Sequence, residues 1–173
     1  FNKTKKHFAN LCLGSRKDFR NAVTAAKEAG EGWQAKSAYN RGQILYRMAE
    51  MMQTRSEEFV QMLIDLTGAT KVNAQKEVTL AIDSFIYFAG FSDKYQQILG
   101  AVNPVSGPHH NFTTPDSMGV VTLIVDNNFV LSKLTAQIAA IIVSGNTLIT
   151  ILPIDGSGAL LAPLAEVFAT SDL

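Results

Sequence analysis

The sequence predicts an α/β fold in which a helical N-terminal region precedes the start of a parallel β-α-β sheet. Before residue 100, apolar residues recur mostly at the spacing of amphipathic helices. After it, two short β-branched runs, at residues 119–125 and 147–152, flank an apolar segment of helical length, residues 129–143. Apolar strands joined by a helix are typical of a right-handed parallel unit with both faces covered.

The first helix is predicted to follow Ser15. Ser15 and Asp18 have the pattern of an N-cap followed by an acidic first turn. Gly30 and Gly32 are predicted to end this helix, and residues 7–13 are predicted to form an edge strand before it. The chain therefore enters the helical region through a short strand and a capped helix.

Three further helices are predicted before residue 100. One begins near Ser37, and the spacing of Thr54 and Glu57 predicts a capping box at the start of the next, which Gly68 ends. A long helix then covers about residues 71–99. The apolar residues predicted to face inward on these helices are Ile44, Leu45, Met48, Met51, Met52, Phe59, Met62, Leu63, Leu66, Val78, Ile82, Phe85, Ile86 and Phe88.

The predicted sheet is too small to stand alone. Residues 103–104 and 107–108 are turn and loop signals before the first strand, and a helix at about residues 159–169 follows the second strand. Two or three parallel strands do not form an independent sheet with both faces covered. We therefore expect the chain to be a fragment, or a partner to supply the missing strands and helices.

Composition limits the classes of partner. The formal net charge is zero, which argues against nucleic acid as a main partner. No run reaches the ~18 apolar residues of a membrane span, and no signal peptide is evident at the start. The single cysteine, Cys12, excludes an intramolecular disulfide framework and is predicted to be a small packing residue. These observations predict a soluble, cytoplasmic protein.

Seven short segments occur in a characteristic order: LYRMAE at 45–50, LTG at 66–68, YFAG at 87–90, DKY at 93–95, MGVV at 118–121, GNT at 145–147 and LAEV at 164–167. In order and spacing they resemble the aldehyde dehydrogenase family over essentially the whole chain. The resemblance implies an incomplete aldehyde dehydrogenase fold. Residues 1–173 would be a partial Rossmann-like nucleotide-binding domain, with a mainly helical front at 1–100 and the β-α-β-α start of the sheet at 101–173. The family's catalytic and oligomerisation domains would be absent.

The same resemblance implies a reaction. The family oxidises aldehydes to carboxylic acids with NAD or NADP through a cysteine thiohemiacetal. Its nucleophilic cysteine and its general-base glutamate lie further along, so neither has a counterpart here, and Cys12 does not match the nucleophile. The chain as given is therefore not expected to be catalytically competent.

After the first strand of the sheet the family usually reads Pro-Trp-Asn-Phe-Pro, where this sequence reads DNNFV at 126–130. Asn128 matches the asparagine whose amide helps to stabilise the oxyanion during thiol attack, and it is the candidate catalytic residue. The alternative is a buried or capping asparagine at the entrance of the following helix. At the same strand end, Val125 and Asn127 are candidate cofactor contacts.

After the second strand the family usually reads Lys-Pro-Ser-Glu, where this sequence reads LPID at 152–155. Asp155 is predicted to accept a hydrogen bond from a ribose hydroxyl, the alternative being a loop aspartate that caps the next helix. Leu152 replaces the lysine, and losing that charge-assisted hydrogen bond costs ~1.5–3 kcal/mol. NAD or NADP is the implied cofactor, with binding weakened at this position. No metal site is predicted, because His109 and His110 have no further ligand nearby.

Two functions remain open from the sequence. In the first, the chain is part of an NAD(P)-dependent aldehyde dehydrogenase that acts on a small-molecule aldehyde. In the second, it is a catalytically degenerate aldehyde-dehydrogenase-like domain with a structural or assembly role. Residues 15–18 and 40–46 resemble the degenerate second domain of fused two-domain members of the family. The implied partner is another aldehyde dehydrogenase domain, in the same chain or in a homo-oligomer.

Overall fold

Helices and strands follow one another as the predicted fold class requires. A computed structural model of the chain describes residues 10–126, 130–153 and 157–173, and it confirms a mainly helical front followed by a parallel strand pair. The helices are α1 (Arg16–Ala35), α2 (Ala38–Thr54), α3 (Ser56–Thr67), α4 (Lys71–Phe91), α5 (Tyr95–Leu99), α6 (Leu131–Val143) and α7 (Leu161–Ala169), and the strands are β1 (Ala101–Asn103), β2 (Asn111–Thr113), β3 (Val120–Ile124) and β4 (Thr147–Ile151).

Helix α1 begins as predicted and ends later than predicted. Ser15 forms a capping box with Asp18, and the hydrogen bond from the Ser15 hydroxyl lowers the pKa of the Asp18 carboxyl. The prediction that Gly30 and Gly32 end the helix is wrong, since it continues to Ala35. A glycine costs only ~1 kcal/mol in a helix, and burial of Trp33 in the last turns outweighs it.

The segment before α1 also differs from its prediction. Residues 10–13 form no strand, and residues 7–9 of the predicted edge strand lie outside the described residues. Cys12 is exposed, so its prediction as a packing residue is wrong. A short apolar alternation without a neighbouring strand to pair with does not form a sheet.

Helix α3 exists as predicted, but the capping box at its start does not. The Thr54 hydroxyl donates to the carbonyl of Glu50 within α2, and Arg55 is the N-cap residue without a side-chain hydrogen bond. At the other end Gly68 adopts φ of +69°, the left-handed conformation of a C-cap, as predicted.

The long helix predicted over residues 71–99 is broken into α4 and α5. The break at residues 92–94 brings Tyr95 into the interior, where its hydroxyl accepts a hydrogen bond from Arg41. Ser92, at the break, is buried against α2. The predicted helix therefore ends where a buried polar network requires a change of direction.

The core lies where α2, α4 and α6 meet, with α7 packed beside them. Most residues predicted to face inward are buried, including Leu45, Met48 and Phe85. The prediction that Ile86 faces inward is wrong, since its side chain is 44% exposed. Ile86 lies about 100° around the axis of α4 from the buried Phe85. Other residues of the predicted set are only half-buried: Met51, Met62, Leu66 and Phe88.

A hairpin that the sequence did not predict precedes the sheet. Strands β1 and β2 pair antiparallel, with Val102 opposite Phe112, in a region predicted to be loops. The side-chain amide of Asn103 donates to Asn111 and Thr113 across the pair. Strands of three residues are too short to show a period, and every residue of β2 is exposed.

The parallel β-α-β unit is confirmed. Strand β3 pairs with β4 in the register Val120 to Thr147 through Ile124 to Ile151, and α6 makes the crossover. Helix α6 begins at Leu131; Phe129, at its predicted start, lies outside the described residues. Helix α7 begins at Leu161, after a 3-10 turn over Ser157–Leu160.

Candidate functional site

The carboxyl ends of β3 and β4 lie side by side. The parallel ladder continues one step past β3, where the backbone N–H of Val125 donates to the carbonyl of Ile151 over 2.9 Å. Val125 and Leu152, the first residues past each strand, are half-buried against the core. In open parallel sheets ligands bind outside these strand ends, so this edge is the candidate site.

A small cleft opens at the end of β3. Its volume is about 40 Å³, which is room for one or two water molecules. The described residues therefore form a shallow cleft here and not an enclosed pocket. The lining residues are Ile124, Val125 and Asp126 from the strand side, and Val130, Lys133, Leu134 and Gln137 from the helix side.

One ion pair spans this cleft. Lys133 Nζ lies 3.4 Å from a carboxylate oxygen of Asp126, and both side chains are more than half exposed. An exposed pair of this kind contributes little to stability. Its effect is local, since it links the first turn of α6 to the end of β3.

The predicted site residues divide into two groups. The structure brings Val125 and Leu152 to the same edge of the sheet, and both side chains pack against the core. Asn127, Asn128 and Asp155 lie outside the described residues. Their proposed roles, and those of Val125 and Leu152 toward a cofactor, stay predictions.

One backbone N–H in the first turn of α6 is bonded by a residue from another helix. Its N-cap residue, Val130, offers no side-chain acceptor, and a carboxylate oxygen of Glu77 in α4 accepts a 2.7 Å hydrogen bond from the backbone N–H of Ser132. A carboxylate at this position also interacts favourably with the helix dipole. Sequence reasoning did not identify Glu77, because its partner is 55 residues away.

The end of α6 is satisfied by α1 and α2. The indole N–H of Trp33 donates to the carbonyl of Ile142 over 2.8 Å, and Nε of Arg41 donates to the carbonyl of Val143 over 2.9 Å. The buried guanidinium also donates to the carbonyl of Lys36 and to the hydroxyl of Tyr95. A cation at a helix C-terminus is favourable for the same reason as an anion at the start.

The entrances of the two strands are joined by Asn146. Its side-chain oxygen accepts from the backbone N–H groups of Met118 and Gly119, at 2.7 and 3.0 Å, and its amide donates to Ser144. Gly145, just before it, has φ of +87°, which favours glycine. The GNT segment at 145–147 thus has a structural explanation that the sequence alone did not give.

Other chemical groups do not gather into a site within the described residues. Neither a cluster of metal-ligating side chains nor a helix long and apolar enough to cross a bilayer occurs in that part of the chain. His109 and His110 are exposed in the segment between β1 and β2.

Sequence comparisons relate the chain to known proteins. The sequence model of the aldehyde dehydrogenase family matches residues 2–173. Cytosolic 10-formyltetrahydrofolate dehydrogenase of Xenopus tropicalis is 35% identical over 146 residues, which are 80% of this chain and 16% of that protein. Relatives of that name include mitochondrial forms.

Solved structures show the same fold. An NAD-dependent benzaldehyde dehydrogenase from Corynebacterium glutamicum superimposes with a TM-score of 0.80 at 30% identity, over 91% of this chain and 34% of that one. A glyceraldehyde-3-phosphate dehydrogenase from Methanocaldococcus jannaschii, complexed with NADP, gives 0.87 at 23% identity over 98% and 36%. The chain thus spans about a third of these solved chains and a smaller share of the curated relative.

Proposed function

The chain belongs to the aldehyde dehydrogenase family, and we propose that it is the first part of the nucleotide-binding domain of an enzyme that oxidises an aldehyde with NAD or NADP. The observation that carries this proposal is the alignment of the carboxyl ends of β3 and β4, where Val125 and Leu152 share one edge. A dinucleotide approaching that edge would meet both strand ends at once.

The residues have separate proposed roles. Val125 and Leu152 give the cofactor an apolar floor, while Asn127 and Asp155 supply hydrogen bonds, Asp155 to a ribose hydroxyl. The dinucleotide, when bound, supplies the hydride acceptor. Asn128 donates a hydrogen bond to the oxyanion that develops during attack on the aldehyde. The attacking thiolate and the general base belong to parts of the enzyme outside residues 1–173.

A second candidate function is supported by Leu152. Its side chain packs against the core at the position where the family carries a cofactor-binding lysine. A leucine there provides no charge, and its packing favours a domain that has lost cofactor affinity and serves assembly. The partner would be an active aldehyde dehydrogenase domain, in the same chain or in another copy.

We propose a cytoplasmic location and a partnership with further aldehyde dehydrogenase domains. The cytosolic relatives support the location, although mitochondrial ones match as well. Fractionation of cells that express the complete protein tests the location, and its mass in solution tests the assembly.

The proposed function is tested by incubating the complete, natural-length protein with NAD or NADP and a panel of aldehydes. Formation of the reduced cofactor is followed by absorbance. Asn128→Ala is expected to lower kcat by roughly 100-fold, the usual effect of removing one oxyanion donor. Asn111→Ala, in the exposed hairpin, is the matched control and should leave kcat unchanged. Absence of aldehyde-dependent reduction in the natural protein would favour the second candidate.

A further inference from the structure

We propose that Glu77 is a positioning residue for the cleft at the carboxyl end of β3, acting through the first turn of α6. The inference rests on the proposed function, because it concerns the cofactor edge of the sheet. Glu77 lies on α4 and is not among the residues that line this cleft.

Among the residues that the structure describes, the N-cap residue of α6 makes no side-chain capping hydrogen bond. The first four backbone N–H groups of a helix have no acceptor within it, and Val130 at the N-cap offers no side-chain acceptor. The Glu77 carboxylate meets the N–H of Ser132 at 2.7 Å. A hydrogen bond to an ionised acceptor is roughly twice as strong as a neutral one, so Glu77 fixes this turn strongly.

Glu77 itself is held by a rigid surface. Its neighbour Val78 and the next turn of α4, with Ala81, are buried. On the facing helix, Leu131 and Leu134 are also buried, and α6 packs closely against α4. The carboxylate therefore reaches Ser132 from beside the packed interface of α4 and α6.

The turn that Glu77 fixes is one wall of the cleft. Val130, Lys133 and Leu134 line the helix side, and all three lie within two residues of Ser132. Lys133 also reaches Asp126 on the strand side. A displacement of the first turn would move this wall and stretch the ion pair, so the shape of the cofactor edge depends on Glu77.

The Glu77 carboxylate also affects whether an anion can bind at the start of α6. A helix N-terminus attracts anions, and here a protein anion already occupies it. We therefore expect no phosphate of the dinucleotide at this helix end. Its contacts would come from the strand ends on the other side of the cleft.

The test uses the complete protein with Glu77→Ala, Glu77→Gln and, as control, Asp83→Ala, which removes an exposed carboxylate from the same helix. Amide hydrogen exchange at residues 130–134 reports the turn, and calorimetric titration with NAD and NADP reports the edge. Glu77→Ala should exchange about tenfold faster at Ser132 and bind dinucleotide about tenfold more weakly. Glu77→Gln keeps an acceptor oxygen and should retain most of the slow exchange at Ser132 and most of the dinucleotide affinity. Asp83→Ala should match the natural protein in both measurements.

Three outcomes overturn the proposal in different ways. Unchanged exchange at Ser132 in Glu77→Ala removes its structural basis. Faster exchange with unchanged dinucleotide affinity shows a helix cap that does not position the edge. If the natural protein itself binds neither dinucleotide, the proposed function fails, and the positioning role falls with it; that result comes from the natural protein alone, so the two failures are distinguishable.

Discussion

Nε of Arg41 in α2 lies 2.9 Å from the carbonyl oxygen of Val143 in the last turn of α6. At the opposite end of the same helix, Glu77 accepts from Ser132. The crossover helix of the sheet is therefore held between a cation and an anion from the helical front, each at the end that the helix dipole favours. The front and the sheet are joined through buried polar contacts as well as through apolar packing.

Replacing Arg41 with alanine is expected to lower the free energy of unfolding by roughly 2–4 kcal/mol, because buried carbonyl and hydroxyl acceptors lose their donor. Arg41→Lys should lose less than Arg41→Ala, because its ammonium still donates to one of these acceptors, although it cannot reproduce the fork of donors. Arg47→Ala, in the same helix, removes an exposed ion pair with Asp172 and should cost under ~1 kcal/mol. Denaturant unfolding of the complete protein measures all three, and equal losses for Arg41→Ala and Arg47→Ala would contradict the account.

Two glycines are expected to respond oppositely to alanine. A Cβ at Gly42 would overlap the Ser92 hydroxyl and lie 3.0 Å from the carbonyl of Ala89, at the close approach of α2 and α4. Gly42→Ala should therefore destabilise by ~1–3 kcal/mol. Gly32 lies inside α1 with open space around it, and Gly32→Ala should stabilise by ~0.5–1 kcal/mol. Thermal unfolding of both variants measures these changes. A stabilising effect of Gly42→Ala would contradict the close approach of α2 and α4 at this residue.

Asn146 is expected to be a strong determinant of the strand entrances. Asn146→Ala leaves two backbone N–H groups without their acceptor and should cost about 2–3 kcal/mol. Asn146→Asp keeps the acceptor oxygen, and the Ser144 hydroxyl can turn to donate, so its loss should be smaller. Asn111→Ala in the exposed hairpin is the control, with an expected change within ~0.5 kcal/mol. Chemical unfolding measures the free energy of unfolding of each variant. An equal loss for Asn146→Ala and Asn111→Ala would contradict the prediction.

Leu152→Lys is expected to strengthen dinucleotide binding by roughly tenfold, because it restores one charge-assisted hydrogen bond at the strand end. The half-buried leucine packs against the core, so the variant should also lose about 1–2 kcal/mol of stability. Leu152→Met controls for packing without charge and should leave affinity unchanged. If titration shows no gain for Leu152→Lys, the edge does not present residue 152 to the cofactor.

Local patterns were sufficient to predict most elements. The period of apolar residues predicted the helices of the front, and the two β-branched runs predicted the parallel strand pair. The errors arose where tertiary contacts outweighed local preference. Trp33 holds α1 past two glycines, and Tyr95 turns into the core and divides the long helix.

The candidate site was predictable only in part. The strand ends at Val125 and Leu152 follow from the alternation of elements, because parallel strands end at one edge. Glu77, Arg41 and Asn146 were not found, because each acts on a backbone group that is distant in the sequence or in the neighbouring strand. A side chain that satisfies a remote backbone group leaves no periodic or spacing signal.

The most direct test of the central claim, that this edge belongs to a working cofactor site, is calorimetric titration of NAD and NADP into the complete, natural-length protein. We expect micromolar binding of at least one dinucleotide, and we expect Val125→Asp, which disrupts the strand end, to abolish it. Absence of binding at millimolar cofactor would contradict the claim and favour the second candidate function.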